Sequence, residues 1–273
     1  MAALAGPLLL VGCGKMGGAL LRGWLSRGLP PRDVVVVEPD AASRERVREE
    51  AGVIAVAESK SLPGDLQPRA LVFAIKPQAM AAVLPAYATL AASGAVVLSI
   101  AAGTSIARFE AAFGERTPVV RAMPNTPAAI GQGVTALFAN PHVSAAQRQL
   151  CSDLMAAVGT VHWIDDEAQM HAITAMSGGG PAYVFLLIET LARAGIASGL
   201  PEHLAWPLAR GTVAGSGALA AQSEERVEVL RQNVTSPGGT TEAALAVLMA
   251  DDGIQPLFDR AIAAATRRSH ELA

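Results

Sequence analysis

The chain has 273 residues, 51% of them hydrophobic, a formal net charge of -3 and a pI near 6.0, which is enough material for one large or two ordinary domains with a sizeable core. This charge balance excludes nucleic acid and anionic membrane as main partners, because those need clustered positive charge. Two cysteines, Cys13 and Cys151, and five histidines without ligand spacing exclude a disulfide framework or a metal site and point to a reducing, cytoplasmic compartment.

The apolar N-terminus lacks a positive leading region, and the hydrophobic run after it is interrupted by Gly12, Gly14 and Lys15. Neither a signal peptide nor a membrane span is expected there. Residues 7–11 read as a short buried strand that delivers into Gly12-Cys13-Gly14-Lys15-Met16-Gly17, after which Met16, Leu20 and Trp24 recur at helical spacing. That is the strand-to-helix setting a G-x-G-x-x-G dinucleotide fingerprint requires. The glycines serve a tight turn, close approach of pyrophosphate and packing of helix on sheet. A second strand at 34–37 ends at Glu38, about twenty positions after Gly17, where an acidic residue meets the adenosine ribose hydroxyls. Arg44, Arg46 and Arg48 follow, interleaved with Glu45, Glu49 and Glu50, as a solvated helix face.

Further α/β units carry strands at 54–56, 70–75, 96–100 and 119–123, with a last pair at 134–139 and 161–164 around a helix capped by Ser144. Wholly apolar strands alternating with helices indicate a parallel sheet covered on both faces, with ligands beyond the carboxyl ends of the strands. The residues that follow those strands are therefore the informative ones: Ala74-Ile75-Lys76-Pro77, Ala101-Ala102-Gly103 and Pro124-Asn125-Thr126-Pro127. Lys76 on spacing alone reads equally well as a solvated loop lysine.

From Asp166 the pattern turns helical, which places a domain boundary after residue 165. One helix runs to Ser177, where Ser177-Gly178-Gly179-Gly180-Pro181-Ala182-Tyr183 breaks it, and Pro181 suits the first turn of the next. A helix from Pro201 carries Gly211, Gly215 and Gly217 among alanines, a composition suited to close helix packing within one chain or across a dimer. The stretch Asn233-Val234-Thr235-Ser236-Pro237-Gly238-Gly239-Thr240-Thr241-Glu242 then opens a helix rich in Ala and Leu. Unpaired N–H groups at such a start, with the positive end of the helix dipole behind them, suit a small anion. A turn with a threonine cap is the alternative.

Taken in this order, the fingerprint, Ala74-Ile75-Lys76-Pro77, Ala101-Ala102-Gly103, Met123-Pro124-Asn125-Thr126-Pro127, Ser177-Gly178-x-Gly180-Pro181-Ala182-Tyr183 and Thr235-Ser236-Pro237-Gly238-Gly239-Thr240-Thr241 resemble pyrroline-5-carboxylate reductase over nearly the whole chain. The resemblance implies an N-terminal Rossmann-like doubly wound sheet (1–165) and an all-helical C-terminal domain (166–273) for substrate binding and dimerisation. It also implies an enzyme that reduces 1-pyrroline-5-carboxylate to L-proline with NADPH or NADH, as a dimer or an assembly of dimers. Cofactor contacts then fall on Val11, Gly12, Cys13, Gly14, Lys15, Met16, Ile75, Lys76, Ala102 and Asn233, beside Gly17, Glu38, Ala74, Pro77, Ala101, Gly103 and Asn125. Substrate contacts fall on Glu224, Ser236, Gly238, Gly239, Thr240 and Thr241, with the Thr241 hydroxyl reaching the ring nitrogen as the catalytic group. In two places the chain departs from the family pattern. Gly179 replaces a serine, leaving Ser177 as the remaining hydroxyl of the pair, and Ser59 stands where the family often has a cofactor-binding asparagine.

A hydroxyacid or 6-phosphogluconate dehydrogenase shares this plan but depends on a lysine in its helical half. Here the lysines are Lys15, Lys60 and Lys76, none beyond the boundary. A broader cyclic-imine reductase and a nucleotide-sensing regulator on the same fold remain as alternatives.

Overall fold

The computed structural model describes residues 7–273; the first six, on which part of the signal-peptide expectation rests, lie outside the described residues. The chain divides into two compact units, one running to Gly178 and taking in Thr266–Ala273, the other comprising Gly179–Ala265.

The first unit is built on eight strands: β1 (Leu8–Val11), β2 (Val34–Val37), β3 (Ile54–Val56), β4 (Ala70–Phe73), β5 (Val96–Ser99), β6 (Val119–Met123), β7 (Gly133–Ala139) and β8 (Gly159–Trp163). They lie in the order β3-β2-β1-β4-β5-β6-β7-β8. Leu8 is level with Val34 on one side and Ala70 on the other, so β1 sits where the direction of winding reverses. The period of two sends Leu8 and Leu10 into one core, with Leu20, Trp24 and Leu154, and Leu9 and Val11 into the other, with Phe73, Met80 and Phe109. Both faces therefore need helices, as an all-apolar parallel strand demands. They are α1 (Lys15–Ser26), α2 (Ala41–Ala51), α3 (Met80–Val83), α4 (Ala88–Ala92), α5 (Ile106–Phe113), α6 (Ala145–Ala156) and α7 (Gln169–Ile173).

One pairing departs from the parallel expectation. β6 and β7 run antiparallel, because residues 124–132 are too short a link for a parallel crossover, which needs about a dozen residues. β7 and β8 return to parallel across α6, whose start is a full capping box of Ser144 and Gln147.

The second unit contains α8 (Gly180–Ala197), α9 (Glu202–Gln222), α10 (Val227–Asn233), α11 (Thr240–Leu248) and most of α12 (Ile254–Glu271). The expected break at Ser177 is instead a π-helical turn, Thr174–Gly178, a widening that recurs at functional positions in helices. Pro181 occupies the first turn of α8, as read from the sequence. Only Ala192, Ala205 and Ala209 are buried on α8 and α9, whereas Phe185, Leu186, Leu187 and Leu208 are exposed. A Cβ added at Gly211, Gly215 or Gly217 would meet nothing within 4 Å, so these glycines do not serve packing within the chain.

Candidate active site

In the first unit, the backbone leaves β1 at Gly12, which adopts a φ of +90° and donates its N–H to Val37 O at 2.8 Å. A Cβ there would lie 2.6 Å from Ile75 Cγ2 and 2.8 Å from Ala74 O, so no other residue fits the turn. A Cβ on Gly17 would strike Gly12 O, whereas one on Gly14 would meet nothing within 4 Å. These are the three tasks that a dinucleotide fingerprint sets its glycines: a turn, a helix packed tightly on the sheet, and between them open space over exposed backbone. Gly14 and Lys15 are exposed and Met16 is half-buried. The residues present fit a nicotinamide dinucleotide at this place.

Glu38 follows β2 and faces the same turn. Its Oε2 accepts from Cys13 N–H at 2.8 Å and its Oε1 from Asp40 N–H at 3.0 Å. Burial first, and the Glu38 charge second, push the Cys13 thiol up to about 11, so it stays protonated and unreactive near neutral pH.

The loops after β4, β5 and β6 emerge at the same end of the sheet. Ala74 N–H donates to Val11 O at 2.8 Å, and Lys76 is exposed, with Pro77 opening a single 3₁₀ turn. Ala101 is buried and Ala102 exposed. Asn125 bridges outward, accepting from Val134 N–H at 2.9 Å while its Nδ2 donates to Ser177 O at 3.3 Å. A Cβ on Gly178 would strike Met123 Cε, so the π-turn lies directly against the end of β6. Ser59 begins a 3₁₀ turn after β3.

In the second unit, the stretch before α11 folds on itself. Gly238 adopts a φ of +71°, its N–H donates to Glu242 Oε2 at 2.6 Å, and Gly239 N–H donates to Ser236 O at 3.0 Å. These bonds occupy two of the four N–H groups read from the sequence as an anion cradle. Among the described residues none of the backbone hydrogen bonds outside helices takes the N–H of Thr240 or Thr241, the first residues of α11. Sequence reasoning missed Glu242, although its place three residues after the Gly239 cap is a capping signal. Glu224 is exposed, and its neighbour Glu225 accepts from Asn233 Nδ2 at 3.1 Å. Among the described residues no three His, Cys, Asp or Glu side chains gather as a metal-binding group.

Comparison with known proteins finds relatives over nearly the whole chain. A family model for pyrroline-5-carboxylate reductase dimerisation matches residues 167–272, and one for coenzyme F420-dependent NADP oxidoreductase matches residues 8–103. The chain is 41% identical over 266 residues to a pyrroline-5-carboxylate reductase of Pseudomonas aeruginosa, covering 97% of this chain and 96% of that one. It superposes on the structure of a pyrroline-5-carboxylate reductase from Coxiella burnetii with a TM-score of 0.93 at 35% identity, covering 98% of each chain. A Plasmodium falciparum pyrroline carboxylate reductase with NADP bound gives 0.82 at 28% identity, covering 99% of each.

Proposed function

The chain belongs to the pyrroline-5-carboxylate reductase family and reduces 1-pyrroline-5-carboxylate to L-proline with NAD(P)H, and we propose that the residues described above carry that reaction. The reduced nicotinamide supplies the hydride when bound. Gly12, Gly14 and Gly17 shape its pyrophosphate site, with Val11, Cys13, Lys15 and Met16 around it, and Glu38 meets the ribose. Ala74, Ile75, Lys76, Pro77, Ala101, Ala102, Gly103 and Asn125 form the rim beyond β4, β5 and β6, and Asn233 is the cofactor contact that the family resemblance names in the second unit.

The observation that carries the substrate assignment is the pair of N–H groups on Thr240 and Thr241 at the start of α11. They suit one carboxylate, and the helix dipole adds to the attraction. Gly238 and Gly239 leave the approach to them free of side chains, Ser236 and Glu224 add polar groups in the same unit, and Ser177 is the further substrate contact that the family resemblance names. Thr241 turns its hydroxyl to the ring nitrogen, so one residue both binds the acid group and attends the reacting bond. Such alignment is the protein's main contribution when hydride chemistry belongs to the cofactor. A cyclic imine can arrive already protonated, in which case no separate general acid is needed.

The protein is a homo-oligomer, and a dimer formed through the helical half, residues 166–273, is its basic unit. The run Gln169–Ala197 is long and apolar enough to cross a membrane by length and composition, but it lies inside the matched dimerisation region, where a second copy would cover its apolar face. Two free, buried thiols support a reducing compartment, the cytoplasm. The decisive assay follows oxidation of NADH and NADPH with 1-pyrroline-5-carboxylate and proline as the product. Absence of turnover with either cofactor overturns the reading.

A further inference from the structure

The loop Ala101-Ala102-Gly103-Thr104-Ser105 does little to hold itself in place. Ala101 N–H donates to Ser99 Oγ at 3.3 Å, Thr104 N–H reaches Ala101 O at 3.4 Å, and the buried Thr104 hydroxyl has no partner among the described residues. Two contacts from distant parts of the chain flank it. On one side the carbonyl oxygen of Leu272 lies 3.2 Å from where a Cβ on Gly103 would project, so main chain meets main chain. On the other, the N–H of Ile106, the first residue of α5, donates to Glu167 Oε1 at 3.0 Å. The same oxygen takes Arg121 Nη1 at 2.9 Å, with the Arg121 side chain 5% exposed.

Both fasteners are tied to one short segment, residues 167–171. One helical turn beyond Glu167, His171 sits 3.0 Å by its Nδ1 from Ser269 Oγ, and its ring stacks on His270 with centroids 3.8 Å apart. Ser269 and His270 belong to the last turn of α12, which ends at Glu271, one residue before Leu272, so the hold on His171 fixes the backbone that abuts Gly103. All of these residues lie in the first unit.

We propose that Glu167 and His171 are positioning residues for cofactor binding, clamping the loop after β5 between the N-terminus of α5 and the end of α12. The proposal rests on reading that loop as a cofactor contact. A loop with a glycine at its centre has wide conformational freedom, and ordering it upon binding would weaken affinity. Held in advance, it does not. The chemical step does not involve the clamp, so the effect belongs in cofactor affinity and not in kcat.

Steady-state kinetics and NADH fluorescence titration on the full chain test this with Glu167→Ala, Glu167→Gln, Ser269→Ala and His171→Phe. Ala102→Asp independently tests whether the loop touches cofactor. Glu167→Ala and Ser269→Ala should each raise the cofactor KM at least about fivefold while kcat and the KM for 1-pyrroline-5-carboxylate change less than about twofold. Glu167→Gln should recover most of the affinity, because its amide oxygen still receives Ile106 N–H. His171→Phe, which keeps a ring beside His270 but cannot bond Ser269, should match Ser269→Ala. If Ala102→Asp weakens cofactor binding while all four clamp variants leave it within twofold, the site reading stands and the clamp is overturned. If Ala102→Asp is itself silent, the loop does not touch cofactor and the reading beneath the proposal fails. Parallel loss of both KM values, kcat and Tm in Ser269→Ala and His171→Phe would reduce the contacts to scaffolding and also overturn it.

Discussion

Cys13 donates its backbone N–H to Glu38 Oε2 at 2.8 Å, while Asp40 N–H holds the other carboxylate oxygen at 3.0 Å. Anchored at both oxygens, the carboxylate cannot swing aside, and a 2′-phosphate brought to the ribose position would face a fixed like charge. Arg44 cannot readily offset it, because its Nη1 is committed to the carbonyl oxygens of Glu38 and Pro39 at 2.8 and 2.9 Å. The enzyme should therefore use NADH at least as well as NADPH, and Glu38→Ser should shift the ratio of kcat/KM towards NADPH. A strong NADPH preference in the parent refutes the argument.

What could be read from the sequence divides by range. The strand ending at Val11, the glycine turn and the helix carrying Leu20 and Trp24 were all legible, because an apolar run, a spacing of glycines and a helical period are local signals. The capping of α6 at Ser144 was legible for the same reason. The antiparallel turn between β6 and β7 depended on the length of a link, which period alone does not convey. The pairing of His171 with Ser269 and of Glu167 with Arg121 joins residues far apart in the chain, and nothing near either partner announces the other. At the substrate stretch the residue types were plain, but which N–H groups stay available depended on Glu242 folding back on Gly238.

Trp24 joins α1 to α6. Its side chain is fully buried and its Nε1–H donates to Leu154 O at 2.9 Å. Trp24→Ala should cost about 3–5 kcal/mol, since it opens a cavity and also leaves the Leu154 carbonyl without its donor. Urea denaturation of the assembled protein measures this, and a loss below about 1 kcal/mol would mean that the site collapses around the smaller side chain.

The His171 ring gives stability a pH dependence. Burial holds its pKa below the ordinary 6.5, His270 and Arg121 push the same way, and Ser269 and Glu167 oppose them. The unfolded chain therefore takes up the proton more readily than the folded one. Stability from this residue is present above pH 6.5 and is lost as pH falls through the lower folded value. Thermal unfolding between pH 8 and pH 5 should show that decline in the parent and a shallower one in His171→Phe. Equal slopes in the two proteins would remove His171 as the cause.

The exposed apolar side chains of the helical unit predict an obligate assembly. Phe185 is 60% exposed and Val247 72%, and surfaces of this kind are covered by partners in proteins that stay in solution. Sedimentation at micromolar concentration should detect no monomer, and Phe185→Glu combined with Leu186→Glu should release one with little or no activity. A stable, fully active monomer of the parent contradicts the prediction.

Thr241 should act in the chemical step and its surrounding backbone in substrate binding. Its N–H is one of the two at the start of α11 that no backbone carbonyl takes, while its hydroxyl can address the ring nitrogen of a substrate held there. Thr241→Val keeps the shape and the N–H but deletes a hydrogen bond that strengthens as the nitrogen becomes an amine. One such bond contributes about 1–3 kcal/mol, or roughly 5- to 150-fold in rate. Because only interactions stronger in the transition state raise kcat, the loss should fall on kcat and leave the cofactor KM nearly unchanged. Gly239→Val should behave differently. A Cβ at Gly239 would come within 2.9 Å of Ser236 O, so the larger side chain distorts the turn that presents the N–H pair, and the KM for 1-pyrroline-5-carboxylate should rise first. If Thr241→Val keeps kcat within twofold of the parent, the hydroxyl has no part in the reaction and the residue serves only to open the helix.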